Sequence, residues 1–184
     1  NISKWIDKIM TKLFEIGLRV RAFVSDLGQD LLDSARSRGV SAEQTYFTIN
    51  SHKIYYIFNA PHLIKQVRNN FMTHDFHFQN GAVAKFEHVV RFFEYDQSRP
   101  YKLAHKLTNS HIKPNNFERA KVCYATQLLS RSVASGLSTC IDFQIIDESG
   151  RVTVEFVKMM NDLFDTLNSS VLRHSYKPKA AFRG

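Results

Sequence analysis

Apolar side chains recur every three or four residues at the start of the chain, and this spacing predicts an amphipathic helix over residues 2–16. Gly17 provides a stop signal for that helix. The next run, residues 18–24, alternates and is rich in β-branched side chains. It therefore predicts a strand that delivers Asp26 to its carboxyl end.

Helical spacing returns over residues 29–38, and two short apolar runs follow at 46–49 and 53–58. These runs flank a polar turn, which predicts either a hairpin or two successive strands. Pro61 suits the first turn of a helix that continues to about Phe71. The alternation of helices and strands indicates an α/β layer with at least one parallel strand pair.

From Gly81 onward the pattern predicts helices only, beginning with residues 82–95. The polar stretch 96–116 is unusually long for a structureless loop, which favours a functional role. Asn115 and Glu118 have capping-box spacing, and we expect them to open one long helix.

A further loop with a turn at residues 147–150 precedes the last predicted helix, 152–168. The polar, basic tail from Ser169 onward contains Pro178. Its composition is typical of an extended segment or of the start of another element.

Composition supports a folded protein, because 43% of the residues are hydrophobic and 15 are Phe. No apolar run approaches the roughly 20 residues of a membrane span, and the first residues have no signal-peptide pattern, so we expect a soluble, intracellular protein. Cys123 and Cys140 have no C-x-x-C partner. We expect two buried thiols, with neither a disulfide framework nor a zinc site.

The positive charge is concentrated in the middle of the chain. Residues 81–140 carry 9 Lys and Arg against 4 Asp and Glu, whereas residues 141–184 carry 6 of each. A basic surface attracts polyanions, which favours nucleic acid or nucleotide phosphate as a partner, although many such excesses are only solvated surface.

Asp26 is the most suggestive single residue, because carboxylates at the carboxyl ends of strands in α/β folds face the crevice where ligands and metals bind. In two-metal phosphoryl transfer such a carboxylate is a ligand of Mg²⁺. The alternative is that Asp26 caps the helix that follows it.

The predicted helix after Pro61 places Lys65 and Arg68 where they could meet a nucleic-acid phosphate backbone. The alternative is the solvated side of an ordinary amphipathic helix. His74 and His77 flank Asp75, but with no third ligand at a fixed offset they do not indicate a metal site.

The chain has neither of the glycine-rich phosphate-binding motifs, so any phosphate site must be of another kind. Asp165 and Asn168 lie three residues apart on the polar face of the last predicted helix. Their side chains could bond a base edge, with the carboxylate accepting from guanine N1 and N2. The alternative is a solvated helix end with Asn168 as the C-cap.

Three stretches taken together resemble the P-element family of DNA transposases, which includes the THAP-domain transposases of animals. The first joins residues 23–28 (FVSDLG) to 57–70 (IFNAPHLIKQVRNN). The second is 105–112 (HKLTNSHI) with its continuation through 128–134 (LLSRSVA), and the third is 161–169 (NDLFDTLNS). The order of all three is more specific than any one of them, and the resemblance covers nearly the whole chain.

The resemblance implies an α/β part followed by an all-α part. Residues 1–80 would be an incomplete RNase H-like layer, and residues 81–184 a helical insertion that binds GTP. Asp26 would be the second carboxylate of a D-D-E set that holds Mg²⁺ in the intact enzyme. The residues implied for GTP are Lys106, Lys121, Val122, Ser130, Asp165 and Asn168.

The resemblance implies that GTP is a bound cofactor that is not hydrolysed. The absence of a glycine-rich phosphate-binding loop from the sequence agrees with that role. The resemblance also implies transposon-end DNA as a partner, a homo-oligomer at full length and a nuclear location. The first Asp and the Glu of the set would lie outside this sequence, so the chain alone is not expected to cut DNA.

Asn59 departs from the family pattern, which has an Asp before the P-H-L sequence. This change removes a negative charge beside the catalytic layer. An alternative is therefore a domesticated, inactive relative that serves as a nucleic-acid or protein interaction module. A stand-alone metal-dependent nuclease is a third hypothesis, and it needs two more carboxylates close to Asp26.

Overall fold

A computed structural model describes residues 2–169, so most of the basic tail, including Pro178, lies outside the described residues. The chain forms two compact units that divide between Leu63 and Ile64. The boundary expected from the sequence was at residues 80 and 81. Each unit is described separately below.

The first unit begins with helix α1 (Ile2–Glu15), as its apolar spacing predicts. Gly17 has φ 84° and ends the helix, and the N–H of Leu18 donates to the carbonyl of Leu13 at 3.0 Å. This bond is the long closing bond of a glycine-terminated helix. Strand β1 (Ala22–Ser25) therefore starts four residues later than predicted, because Leu18 still belongs to the helix end.

Helix α2 (Gln29–Ser37) and strands β2 (Tyr46–Ile49) and β3 (His52–Phe58) follow. Asn50 and Ser51 connect β2 to β3 with φ of 49° and 62°, the paired positive values of a two-residue hairpin turn. The hairpin prediction is confirmed. The strand order is β1-β3-β2, and β1 runs parallel to β3.

One face of this sheet is buried and the other is open. Ile54 and Tyr56 of β3 lie in a core with residues of α1 and α2, such as Ile6 and Ala35. Side chains at the alternate positions of the sheet, including Tyr55 and Ile57, are exposed. The period of two along β3 therefore separates a core face from an uncovered apolar face.

Helix α3 (Ala60–Phe71) spans the division between the units. A small hairpin of β4 (Phe76–His77) and β5 (Val83–Ala84) comes next, and the sequence did not predict it. Helix α4 (Phe86–Gln97) consequently begins at residue 86, not at 82, because residues 83 and 84 pair with β4.

The stretch predicted as a structureless loop contains helix α5 (Asn109–Ile112), which has its own capping box. The capping box of Asn115 and Glu118 is confirmed, but it opens only the short α6 (Asn116–Arg119). Helices α7 (Val122–Leu128) and α8 (Arg131–Asp142) follow, so the prediction of one long helix was wrong. Ser130 is the N-cap that starts α8, and its hydroxyl accepts from the N–H of Val133.

The last helix, α9 (Gly150–Leu167), agrees with the predicted helix within two residues. It packs on α8 and α4 around a core that includes Phe71, Phe92 and Phe156. Gly136 of α8 lies directly against the ring of Phe92. Cys140 is buried as predicted, but Cys123 is exposed because α7 turns it outward.

Candidate functional site

A cavity of about 410 Å³ opens in the second unit between α7, α8, α9 and the segment that precedes α5. This volume is in the range of small-molecule sites. Apolar side chains form part of the wall, and polar side chains complete it: His105, Lys106, Thr126, Gln127, Ser130, Ser132, Asn161 and Asp165.

Three of the residues that the resemblance implied for GTP meet in this cavity. Lys106 precedes α5, Ser130 caps α8 and Asp165 lies in the last turns of α9, yet all three line the same wall. Up to 59 positions separate them in sequence, between Lys106 and Asp165. Their convergence is a property of the fold, and it was not visible in any local pattern.

The end of the cavity at α9 carries the negative charge. The side-chain amide of Asn161 donates to Oδ2 of Asp165 at 3.1 Å and to Oδ1 of Asp162 at 3.1 Å. The first of these bonds holds the Asp165 carboxylate, which is half-buried, against the helix. Phe164 lines the cavity beside Asp165 and packs against the core.

Positive character lies elsewhere along the same wall. Lys106 is exposed and lines the cavity, as do Ser130 and Ser132 at the start of α8. A helix of 12 residues has a partial positive charge at its N-terminus, which favours anions there. The cavity thus combines a carboxylate, an aromatic ring and an anion-attracting region.

Three other predicted residues are not in the cavity wall. The ammonium of Lys121 lies over the rings of Phe117 and Tyr124, 4.9 and 5.3 Å from their centroids. Val122 begins α7 one turn before Thr126, which does line the cavity. Asn168 is exposed and is the C-cap of α9, one turn beyond Asp165.

Sequence reasoning missed several lining residues. Phe164 belonged to a predicted apolar stripe and was interpreted as core, although its position beside Asp165 was a usable signal. Asn161, Thr126 and Gln127 carried no local pattern that distinguishes them from solvated helix positions.

The prediction that Arg68 meets a phosphate backbone disagrees with its position, because the residue is 0% exposed. Its Nη2 donates to the carbonyl of Arg119 at 2.8 Å. Burial lowers the pKa of this guanidinium, and the charge of Arg119 adds to the effect. Lys65, one turn earlier on α3, is half-buried and remains at the surface.

In the first unit, Asp26 directly follows β1 and is exposed. Its Oδ1 accepts from the N–H of Gly28 at 2.9 Å, a bond within the turn that leads to α2. The N–H of Asn59 donates to the carbonyl of Ser25 at 2.7 Å, so Asn59 lies beside Asp26 on the adjacent parallel strand. The carboxylate and the amide therefore share one edge of the sheet.

Within residues 2–169 no three His, Cys, Asp or Glu side chains gather where they could hold a metal ion. Asp26 is accordingly not joined by two further carboxylates in this part of the chain, and the hypothesis of a stand-alone metal-dependent nuclease lacks support. None of the helices in the same range is long and apolar enough to cross a membrane.

Comparisons with known proteins show which family the chain resembles. Residues 61–180 match the family described as TNP-like, GTP-binding insertion domain. The chain is 31% identical over 169 residues to the transposable element P transposase of Drosophila melanogaster, and 29% identical over 172 residues to the human DNA transposase THAP9. The two alignments cover 90% and 86% of this chain but only 22% and 18% of those relatives.

A solved structure, the Drosophila P element transposase strand transfer complex, superposes with a TM-score of 0.82 at 30% identity. The match covers 90% of this chain and 38% of the solved one. The similarity therefore extends over both units, although the chain corresponds to a minor part of that protein.

Proposed function

Because the chain belongs to the family of TNP-like, GTP-binding insertion domains and is similar to P-element transposases over most of its length, we propose that its second unit binds GTP. The observation that carries the proposal is the cavity of about 410 Å³ whose wall includes Lys106, Ser130 and Asp165. These are a cation, a hydroxyl at a helix N-terminus and a carboxylate, which suit phosphates at one region and a purine at another.

Asp165 is the proposed determinant of the base. Guanine presents two adjacent donors, N1–H and the N2 amino group, and a carboxylate accepts both. Adenine presents an acceptor at N1, which a carboxylate repels. Asn161 donates to Oδ2 of Asp165 at 3.1 Å and so fixes the orientation of that carboxylate. Phe164 offers an aromatic face beside it, and Asn168 would reach guanine O6 or the ribose from the next turn.

Lys106 and the N-terminus of α8 are the proposed partners of the phosphates, with Lys121 and Val122 as additional contacts. We propose GTP as a bound cofactor that is not hydrolysed. The absence of both glycine-rich phosphate-binding motifs from the sequence supports this.

For the parent protein we propose DNA transposition in the nucleus as a homo-oligomer on transposon ends, with Asp26 as one ligand of a Mg²⁺ site. The described residues do not fit a complete site, since one carboxylate cannot hold two metal ions. Lys65 is the proposed contact to DNA phosphate on α3, whereas buried Arg68 is not.

A second candidate function is a domesticated, catalytically inactive interaction module. Asn59 favours it, because it follows β3 next to the end of β1, at a position where the family pattern has a carboxylate. An amide is a weaker ligand for Mg²⁺ and carries no charge to offset that of the metal.

Isothermal titration of the 184-residue chain with GTP and ATP tests the nucleotide proposal. We expect saturable GTP binding and much weaker ATP binding. Asp165→Ala should lower the affinity for GTP at least tenfold, because a hydrogen bond to a charged group contributes about 1.5–3 kcal/mol. Glu155→Ala is the matched control, because Glu155 is an exposed carboxylate on the same helix that pairs with Lys158 outside the cavity wall, so GTP affinity should stay within about threefold. Equal affinity for the two nucleotides would rule the proposal out.

A further inference from the structure

The segment that carries Lys106 into the cavity is anchored at both ends by buried side chains. At its start, the carboxylate of Asp96 is 1% exposed and accepts from the N–H groups of Leu103 and Ala104 at 2.7 and 3.2 Å. At its end, His111 is also 1% exposed and bonds Thr108. We call residues 103–108 the cavity segment.

The hydrogen bonds of His111 determine its protonation state. Nδ1 lies 3.1 Å from the backbone N of Thr108, which can only donate, and 2.9 Å from the hydroxyl of the same residue. Nδ1 must therefore be the acceptor. Nε2 then carries the proton and donates to Oε1 of Gln127 at 2.8 Å. The geometry requires a neutral imidazole with its proton on Nε2.

Through these bonds His111 joins two parts of the cavity wall. Thr108 is the last residue of the cavity segment, and Gln127 is itself a lining residue on α7. His111 does not line the cavity, so any effect on a ligand must pass through these two neighbours. It is a positioning residue.

Two charged groups face the imidazole, Arg68 from α3 and Glu118 from α6, while the ring of Tyr124 on α7 lies 4.7 Å away. Burial lowers the pKa of His111 most strongly. The bond to Gln127 raises this pKa, Arg68 lowers it further and Glu118 raises it. The neutral form is therefore the resident form at neutral pH.

We propose that neutral His111 holds the cavity segment and Gln127 in their binding positions, and that protonation of His111 releases them and weakens nucleotide binding. A protonated Nδ1 would face the N–H of Thr108, donor against donor, and the bond would be lost. The release of the cavity segment and Gln127 is the structural half of this inference, and it does not depend on a nucleotide. The weakening of nucleotide binding is the nucleotide half, and it rests on the proposed function.

The sign of the pH effect follows from linkage. A ligand that prefers the neutral form binds best above the pKa of His111 and progressively worse as the pH falls through it. One proton is involved, so the dissociation constant rises by at most about tenfold per pH unit from this cause.

The first experiment measures the dissociation constant of GTP between about pH 5.5 and 7.5 for the wild-type chain and for His111→Gln. Gln is an ordinary residue at this position of a capping box, and its side-chain oxygen can accept from the N–H of Thr108 without titrating. The ratio of the two constants at each pH cancels the titration of GTP itself and of the groups that both proteins share. We expect a ratio near 1 at pH 7.5 that rises severalfold toward pH 5.5.

Asp96→Asn is the matched control, because it weakens the opposite anchor of the cavity segment and leaves the imidazole intact. We expect weaker GTP binding at every pH with the wild-type pH dependence retained. A ratio of wild-type to His111→Gln that stays constant with pH would overturn the nucleotide half of the inference.

The second experiment needs no nucleotide. Amide hydrogen exchange at Thr108, corrected for the intrinsic pH dependence of exchange, should show protection that falls as the pH drops in the wild type and remains in His111→Gln. Unchanged protection in the wild type overturns the inference even if GTP binds. Absence of GTP binding at pH 7.5 combined with pH-dependent protection would instead refute the proposed function and leave the structural half standing.

Discussion

The second unit, which is mainly helical, buries a continuous apolar core and surrounds a polar cavity, whereas the α/β first unit leaves one face of its sheet open. Phe71 and Phe92 are buried in the second unit, while Val24 and Ile57 lie exposed on the first. The same contrast holds for chemistry. Lys106 and Asp165 converge within the second unit, but among the described residues Asp26 belongs to no group of three side chains that could hold a metal ion.

This difference shows which hypotheses the chain can test by itself. A site whose walls all come from one core is preorganised by that core, so binding to it can be measured directly. A lone carboxylate at the edge of an open sheet has a role only when further ligands reach it. The predictions below probe this contrast between a closed and an open unit.

The largest effect is expected on strand β3, where two isoleucines lie on opposite faces of the open unit. Ile54 is 0% exposed and Ile57 is 41% exposed. Ile54→Ala should lower the free energy of unfolding by about 2–5 kcal/mol, because it leaves a cavity in the core. Ile57→Ala should cost less than about 1 kcal/mol, because its side chain gains little from burial here.

Urea denaturation of the two variants checks this prediction, followed by the fluorescence of Trp5, the only tryptophan in the chain and a residue of the first unit. Equal losses for Ile54→Ala and Ile57→Ala would mean that the outer face of the sheet is covered in solution, and the contrast between the units would fail.

An intermediate effect is expected from Gly136→Ala in the closed unit. A β-carbon built at Gly136 would lie 2.3 Å from Cζ of Phe92, whose ring is fully buried. Because the ring has no space to move into, the substitution should lower the free energy of unfolding by about 1–3 kcal/mol despite the better helix propensity of Ala.

Ser135→Ala is the control, since Ser135 is exposed on the same helix and its replacement should change stability by no more than about 0.5 kcal/mol. The double variant with Gly136→Ala and Phe92→Leu should lose less free energy of unfolding than the sum of the losses of the two single variants. Strict additivity of the two changes would show that the close approach of Gly136 to Phe92 does not limit packing.

The smallest effect on the free energy of unfolding is expected from a change of pH, and it should arise in the second unit. His88, which bonds Thr153 at 2.8 Å, and His111 both have their pKa lowered mainly by burial. Below the usual histidine pKa of about 6.5 the unfolded chain therefore binds more protons than the folded one. Stability should fall as the pH drops from about 7 through the folded-state pKa values, by at most about 1.4 kcal/mol per pH unit for each histidine.

Urea midpoints between about pH 5.5 and 7.5 measure this dependence, since in that range the exposed carboxyl groups with lowered pKa, such as Glu118, remain ionised. His111→Gln should remove its share of the slope. A stability that does not change over this range would contradict the buried, neutral state of both histidines.

Local patterns predicted the parts of the fold that local physics determines. The apolar stripe and Gly17 define α1, and the alternation around Asn50 and Ser51 defines the hairpin. The β4–β5 pair has only two residues on each strand, too few for a periodic signal. The division of one predicted helix into α6, α7 and α8 depends on the N-cap bond of Ser130, which a continuous apolar pattern conceals.

The candidate site was predictable as a set of residues but not as a geometry. The resemblance named Lys106, Ser130 and Asp165, and the fold brings them to one wall. Arg68 illustrates the opposite case. Its charge suggested the surface, yet α3 turns it inward, where the carbonyl of Arg119 accepts its bond at 2.8 Å. Burial of a cation depends on tertiary packing, which helical spacing alone does not reveal.

Strand β1 lies at one edge of the sheet formed by residues 2–169, and its neighbour on the inner side is β3. A segment of the parent protein that paired with the outer side would lie about 4.8 Å away, one strand spacing. If that segment ran parallel to β1, the residue after its last paired position would stand next to Asp26. A segment that pairs with the outer side of β1 would therefore determine which side chain lies next to Asp26 on that side.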